Sequence, residues 1–92
     1  MRSGRRISCK GIRLVYRANQ LGFSRLGLAV SRKYGNAVQR NRFKRQLRDT
    51  FRQSSFRAKG MDILAIPNVN AAGMQDAVHD FSEALAMIRD RK

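Results

Sequence analysis

Arg40, Asn41, Arg42, Lys44, Arg45 and Arg48 put five cations and an amide into nine consecutive positions. Side chains of these types, so closely spaced, share one chemistry, which is the binding of anions. A guanidinium presents a planar fork of donors that grips a phosphate through two hydrogen bonds and also stacks on bases. Ser31, Arg32, Lys33 and Asn36 continue the donor set just upstream. The stretch is built for an external anion.

An amphipathic helix must position these groups. Asn36 is a good N-cap, with a side-chain oxygen able to accept from a free amide of the first turn, and Gln39 can reach back as in a capping box. The helix is therefore expected to start at Ala37 and to end near residues 53–55. At about 100° per residue, Phe43, Leu47, Thr50 and Phe51 share one face, and Asn41, Arg42, Arg45, Arg48 and Arg52 share the other. Arg40 and Lys44 fall at the borders, where a long stem covers apolar surface while its charge reaches the edge. Arg40 precedes Phe43 by one turn and is more constrained than its neighbours. Most charge runs on helices are solvated faces, but those interleave Glu with Lys. Here there is no Glu, five of the six helix cations are Arg, and Asp49 is the one acid among them. Nucleic-acid binding is the stronger reading.

The whole chain carries the same bias. Its 92 residues have a formal net charge of +14. Residues 1–48 hold fourteen Lys or Arg and no acid, against six of each in residues 49–92. A polycationic half joined to a neutral half points to nucleic acid or to an anionic membrane. No run approaches the roughly 20 apolar residues of a spanning helix, and the first residues lack the apolar stretch of a signal peptide. The expectation is a cytoplasmic protein. The length allows a single domain over residues 1–92, with a modest core and little room for a buried catalytic pocket.

Along the chain, residues 1–10 combine Arg2, Arg5, Arg6 and Lys10 with Ser3 and Gly4, which reads as a flexible basic arm or the frayed start of a strand. From Ile12 the pattern alternates, with Ile12, Leu14 and Tyr16 on one face and Arg13, Val15 and Arg17 on the other. Residues 19–24 contain turn formers and are expected to connect a hairpin to a second strand at residues 25–32. The small residues of that strand, Gly27, Ala29 and Ser31, let something approach the sheet closely, a helix or a ligand. After the basic helix, a loop with Arg57, Lys59 and Gly60 leads to Met61–Ile66, a near-continuous apolar run ended by Pro67, the profile of a central strand. Strand, long helix and buried strand suggest a crossover between parallel strands. From Met74, Ala77, Val78, Phe81, Leu85 and Ile88 follow helical spacing and read as core.

Catalytic chemistry is harder to find. A metal-dependent nuclease needs several carboxylates converging on cations. Among Asp49, Asp62, Asp76, Asp80, Glu83 and Asp90, the set Asp76, Asp80 and Glu83 can share a helix face, where it reads as a solvated edge. Cys9 is the only cysteine, which excludes an internal disulfide and a thiolate metal site, and a half-buried place in or before a strand is its expected role. His79, the only histidine, reads as a solvent-side helix residue. No catalytic residue and no protein metal site is expected.

Ser31-Arg32-Lys33, then Gly35-Asn36-Ala37-Val38, then Arg40-Asn41-Arg42-Phe43-Lys44-Arg45-Gln46-Leu47-Arg48 resembles the signature of the bacterial ribonuclease P protein subunit, whose hallmark is an Arg-Asn-Arg motif on a basic helix. The match is ungapped and continues more weakly through Phe51, the Gly60–Ile66 strand and the last helix. The resemblance implies an α/β (α+β) two-layer sandwich, with a mixed sheet and the basic helix in a left-handed crossover between parallel strands, against the usual right-handed rule. It implies a holoenzyme in which the RNA subunit, with Mg²⁺ held by that RNA and the substrate, removes the 5′ leader of precursor transfer RNA, and the protein assists. Carried over by position, Arg40, Asn41, Arg42, Lys44, Arg45 and Arg48 would contact the catalytic RNA, with Ser31, Arg32, Lys33 and Asn36 beside them. Leu14 and Tyr16 would line a cleft for the single-stranded leader, where an aromatic can stack on a base. The implied partners are ribonuclease P RNA and precursor transfer RNA, with no membrane and no obligate protein partner. Family members usually begin with an aromatic-bearing helix that walls the leader cleft, and that helix is expected to be lacking from this sequence. Two other classes compete with the resemblance: a basic module for other structured RNA or the nucleoid, and a self-sufficient metal nuclease.

Overall fold

The computed structural model describes residues 4–54 and 60–90, so Arg2 and Ser3 of the expected arm and Arg57 and Lys59 of the expected loop lie outside the described residues. The chain runs through β1 (Arg5–Cys9), β2 (Ile12–Ala18), β3 (Arg25–Leu28), α1 (Ala37–Arg52), β4 (Met61–Pro67), a turn of 3₁₀ helix (Ala71–Gly73) and α2 (Ala77–Asp90). The strands form one mixed sheet in the order β1-β2-β4-β3. β2 pairs antiparallel with both β1 and β4, whereas β3 pairs parallel with β4. The architecture is the expected α+β one, and α1 forms the connection between the parallel neighbours β3 and β4.

Two local expectations are corrected. Residues 5–9 are a strand and not a flexible arm: Ile7 lies opposite Leu14 and is buried, so a single apolar residue at the right parity holds a basic strand on the sheet. The hairpin expected between β2 and β3 does not form, because β4 lies between them. A strand with apolar residues at nearly every position loses most at an edge, while β3, four residues long with Gly27 exposed, loses least there. The tight hairpin is instead β1-β2, closed by Lys10 and Gly11 with Lys10 at φ 52°. Gly11 is required by close approach, since a Cβ there would lie 3.0 Å from Met74 Sδ and 3.3 Å from Asp80 Oδ2.

The register assigns every strand residue to one of two faces. Ile7, Ile12, Leu14, Tyr16, Ile63 and Ala65 join Phe43, Leu47 and Phe51 of α1 and Phe81, Leu85 and Ile88 of α2 in one hydrophobic core. Both helices therefore cover the same face. The other face carries the rows Arg6-Val15-Leu64-Gly27, Ser8-Arg13-Ile66 and Arg17-Asp62-Arg25, and among the described residues no helix packs on it.

α2 starts at Ala77, after Asp76 Oδ1 accepts from His79 N at 3.0 Å, and not at Met74. Val78 is exposed, and Ala84 completes the buried stripe. Asp80 departs from the solvated edge expected of it: it is 6% exposed, and its Oδ2 accepts from Gly11 N at 3.2 Å. A buried carboxylate needs such a partner, and this one clamps the β1-β2 turn to α2.

Candidate nucleic-acid interface

β3 delivers the chain to a turn at residues 31–34, where Tyr34 N donates to Ser31 O at 3.0 Å. Tyr34 is buried, its ring centroid 5.0 Å from that of Phe43 at an interplanar angle of 51°. Its carbonyl accepts from Ala71 N, and burial raises its phenol above the ordinary pKa. This residue fastens the turn to α1 and leaves Ser31, Arg32 and Lys33 exposed around it. Tyr34 has no role in the sequence reading; the available signal was a lone aromatic inside a run of cations just before a helix cap.

α1 begins as its first residues dictate. Asn36 Oδ1 accepts from Gln39 N at 2.8 Å, and Gln39 Oε1 accepts from Asn36 N at 2.9 Å, a complete capping box. Phe43, Leu47 and Phe51 are buried, and Asn41, Arg42, Arg45 and Arg48 are exposed on the opposite side. Lys44 and Thr50 lie between, with Thr50 Oγ1 donating to Gln46 O at 2.8 Å. Arg40 is half-buried, and its Nη1 donates to Gly35 O at 2.8 Å. It thus braces the turn against the helix as well as supplying charge.

The electrostatics of this face are one-sided. Among the described residues the ion pairs join Arg25 to Asp62, Arg52 to Asp49 and His79 to Glu83, and none involves Arg42, Lys44, Arg45 or Arg48. The first turn of α1 holds no acid. Its free amides and the positive end of the helix dipole therefore add to the field of the side chains. The uncompensated charge of Arg32, Lys33, Arg42, Lys44, Arg45 and Arg48 forms one surface from the turn along the helix. Its chemistry suits a polyanion whose phosphates recur along a line.

The family model described as Ribonuclease P matches residues 1–89. The chain belongs to the ribonuclease P family. It is 43% identical over 75 residues to the ribonuclease P protein component of Syntrophus aciditrophicus, a match covering 80% of this chain and 63% of that protein. The component from Nitrosococcus oceani is 39% identical over 71 residues, covering 74% and 60%. The chain thus spans less than two thirds of the length of these curated relatives. The solved RNase P protein of Staphylococcus aureus superposes with a TM-score of 0.83 at 28% identity, covering 96% of this chain and 84% of that one. That of Thermotoga maritima gives 0.70 at 27%, covering 99% and 86%.

Within this family framework, the expected cleft residues need correction. Leu14 is 0% and Tyr16 5% exposed, and both belong to the core beneath the helices. The alternation in β2 separated two faces correctly, but the face holding Leu14 and Tyr16 is the one that α1 and α2 cover, so neither side chain lines a surface. The face without a helix carries Arg13, Val15 and Arg17 of β2; Val15 is itself buried, and Arg13 Nε is buried there without a hydrogen-bond partner among the described residues. At one end of that face, Ala29, Val30, Ser31, Ile66 and Pro67 line a groove of about 400 Å³.

The remaining sequence candidates sit apart from both surfaces. Cys9 is half-buried at the end of β1, and its thiol donates to Glu83 Oε2 at 3.4 Å. Burial and then Glu83 raise the thiol pKa, the opposite of what a nucleophile needs. Glu83 is lowered by the Cys9 hydrogen bond and by His79, whose Nε2 lies 2.8 Å from Glu83 Oε1 on the exposed side of α2. Among the described residues no group of three or more His, Cys, Asp or Glu side chains could hold a metal ion, and no helix is long and apolar enough to cross a membrane.

Proposed function

We infer that this chain is the RNA-binding protein subunit of ribonuclease P, which assists an RNA subunit in removing the 5′ leader of precursor transfer RNA. The observation that carries the reading is the cationic face of Arg42, Lys44, Arg45 and Arg48, outside every ion pair among the described residues, on a helix anchored by Phe43, Leu47 and Phe51, in a chain of the ribonuclease P family. That face, with Asn41 and Arg40 and the Ser31, Arg32, Lys33 and Asn36 turn beside it, binds the catalytic RNA chiefly through phosphates. Capping and packing hold the helix rigid, so the spacing of the backbone positions that carry its guanidinium groups is set before the RNA arrives.

The single-stranded leader takes the uncovered sheet face. Arg13 and Arg17 supply charge there, and the half-buried Leu64 and Ile66 supply apolar surface beside them. Arg13 Nε, which has no acceptor among the described residues, supports this choice, since a buried donor without an acceptor is one that a ligand oxygen can satisfy. In this reading the protein supplies no catalytic group, and Mg²⁺ belongs to the RNA subunit and the substrate. The holoenzyme works in the cytoplasm, with the two RNAs as the protein's partners.

Incubating the chain with precursor transfer RNA and Mg²⁺, with and without the catalytic RNA, tests the reading. Leader removal that needs the RNA subunit and is stimulated by the protein is expected. Cleavage by the protein alone would make it a self-sufficient nuclease. RNA binding without stimulation would make it a basic module of another kind.

A further inference from the structure

Beside the C-terminal half of α1 lies a feature that phosphate binding leaves unexplained. Phe23 is 53% and Leu21 47% exposed on the connection between β2 and β3. Scattered exposed apolar residues are ordinary, but Phe23 forms one wall of a groove of about 430 Å³ whose other lining residues are Ser24, Leu26, Arg48, Phe51 and Arg52. Its apolar part comes from Phe23, Leu26 and Phe51, and its cationic part from Arg48 and Arg52 of the basic helix.

The loop that exposes Phe23 is tied down. Asn19 Nδ2 donates to Phe23 O at 3.1 Å and to Asp62 Oδ1 at 2.9 Å, and Asn19 Oδ1 accepts from Leu21 N at 2.9 Å. Asn19 N donates to Gly60 O at 2.9 Å, and Ser24 Oγ accepts from Met61 N at 3.0 Å. Gly22 at φ 83° makes the reversal, and a Cβ on Gly60 would stand 3.6 Å from Gly22 N, so the two segments lie against each other. The exposed ring is therefore presented on a fixed frame, and solvent alone gives no reason to hold it there.

We propose that this groove is a nucleobase-stacking site, in which an unpaired base of a bound RNA lies against Phe23 while its phosphates remain on Arg48. The proposal rests on the RNA-binding reading of α1 and adds to it a distinction between single-stranded and fully paired RNA. Aromatic and guanidinium planes around an open apolar floor form the surface on which splayed bases stack. The groove continues the cationic face through Arg48, so an RNA that follows the helix reaches it. A second copy of the chain is disfavoured as occupant, because each carries a formal charge of +14 and Arg48 and Arg52 line the groove.

The chain contains no tryptophan, so Phe23→Trp places a single fluorophore in the groove. Titrating that variant with oligouridylate should quench and shift its emission, whereas a fully paired hairpin RNA and inorganic polyphosphate should bind without doing so. Phe23→Ala should weaken oligouridylate binding about fivefold or more, in line with base-on-aromatic stacking, and leave hairpin binding unchanged. Oligouridylate binding that neither alters emission at residue 23 nor weakens in Phe23→Ala overturns the stacking site while leaving the cationic face intact. Failure of the parent to bind any RNA overturns both. A concentration-dependent emission change without RNA, with a dimer in sedimentation, would assign the groove to a second copy and overturn the proposal as well.

Discussion

Arg25 and Asp62 form a two-pronged pair between β3 and β4, with Arg25 Nε donating to Asp62 Oδ1 and Nη2 to Oδ2, each at 2.8 Å. Asp62 also accepts from Asn19 Nδ2, so one carboxylate ties the edge strand, the central strand and the loop that carries Phe23. The Arg25 hydrogen bonds, then that of Asn19, hold the Asp62 carboxyl far below the usual carboxylate range.

That depression fixes the sign of a pH effect. The ionised form is favoured by folding, so its stabilisation is fully present above the ordinary carboxylate pKa of about 4 and is lost as pH falls further toward the native value. Denaturant midpoints of the parent and Asp62→Asn should differ by a constant amount from pH 7 to about pH 5 and converge below about pH 4. Because Arg25 is exposed, added salt should narrow the gap. Curves that coincide at every pH would show that the pair contributes nothing to folding.

Arg42→Ala and Arg45→Ala should weaken binding to the catalytic RNA with little change in melting temperature. Each removes an exposed cation outside any described ion pair, and the log-log dependence of affinity on salt should flatten by roughly one for each phosphate left without its cation. Affinities measured at several salt concentrations check this, and an unchanged slope would reduce the face to a solvated one.

Leu47→Ala should act by the opposite route. Leu47 is fully buried between α1 and the sheet, and truncation there costs roughly 2 to 5 kcal/mol, a large part of the stability of a domain this small. Thermal melts should show the loss directly, with RNA affinity at low temperature falling less than the melting point suggests. A melt like the parent's would mean that the helix packs differently.

Asn36→Ala removes the side-chain half of the capping box and should cost about 1 kcal/mol. The effect should be local: amide exchange in the first turn of α1 should quicken, while that of β4 follows only global stability. Uniform protection across α1 would show that the brace from Arg40 to Gly35 holds the turn without the cap.

Much of the interface was legible because its causes are local. The start of α1 follows from Asn36 and Gln39, and the division between Phe43, Leu47 and Phe51 on one side and Arg42, Arg45 and Arg48 on the other follows from helical period alone. The central place of β4 was likewise written in its near-continuous apolar run, broken only by Asp62. The segregation of charge into the first half of the chain points to a polyanion without any help from the fold.

Tertiary structure decided what local period leaves degenerate. Alternation in β2 distinguishes Leu14 and Tyr16 from Arg13 and Val15, but nothing within the strand says which set the helices will cover, and a shift of one residue exchanges the faces. The insertion of β4 between β2 and β3 is set by the total burial of distant segments, which outweighed the short connection favouring a hairpin. Asp80 became a buried clamp because the β1-β2 turn brought the Gly11 amide to it, 69 residues away in sequence. The groove of Phe23, Leu26, Arg48 and Phe51 arises in the same way, from a loop, an edge strand and a helix that meet only after the sheet has formed. Period and capping act over a few residues and can be read in order, whereas pairing and burial compare segments across the whole chain and have an outcome only in three dimensions.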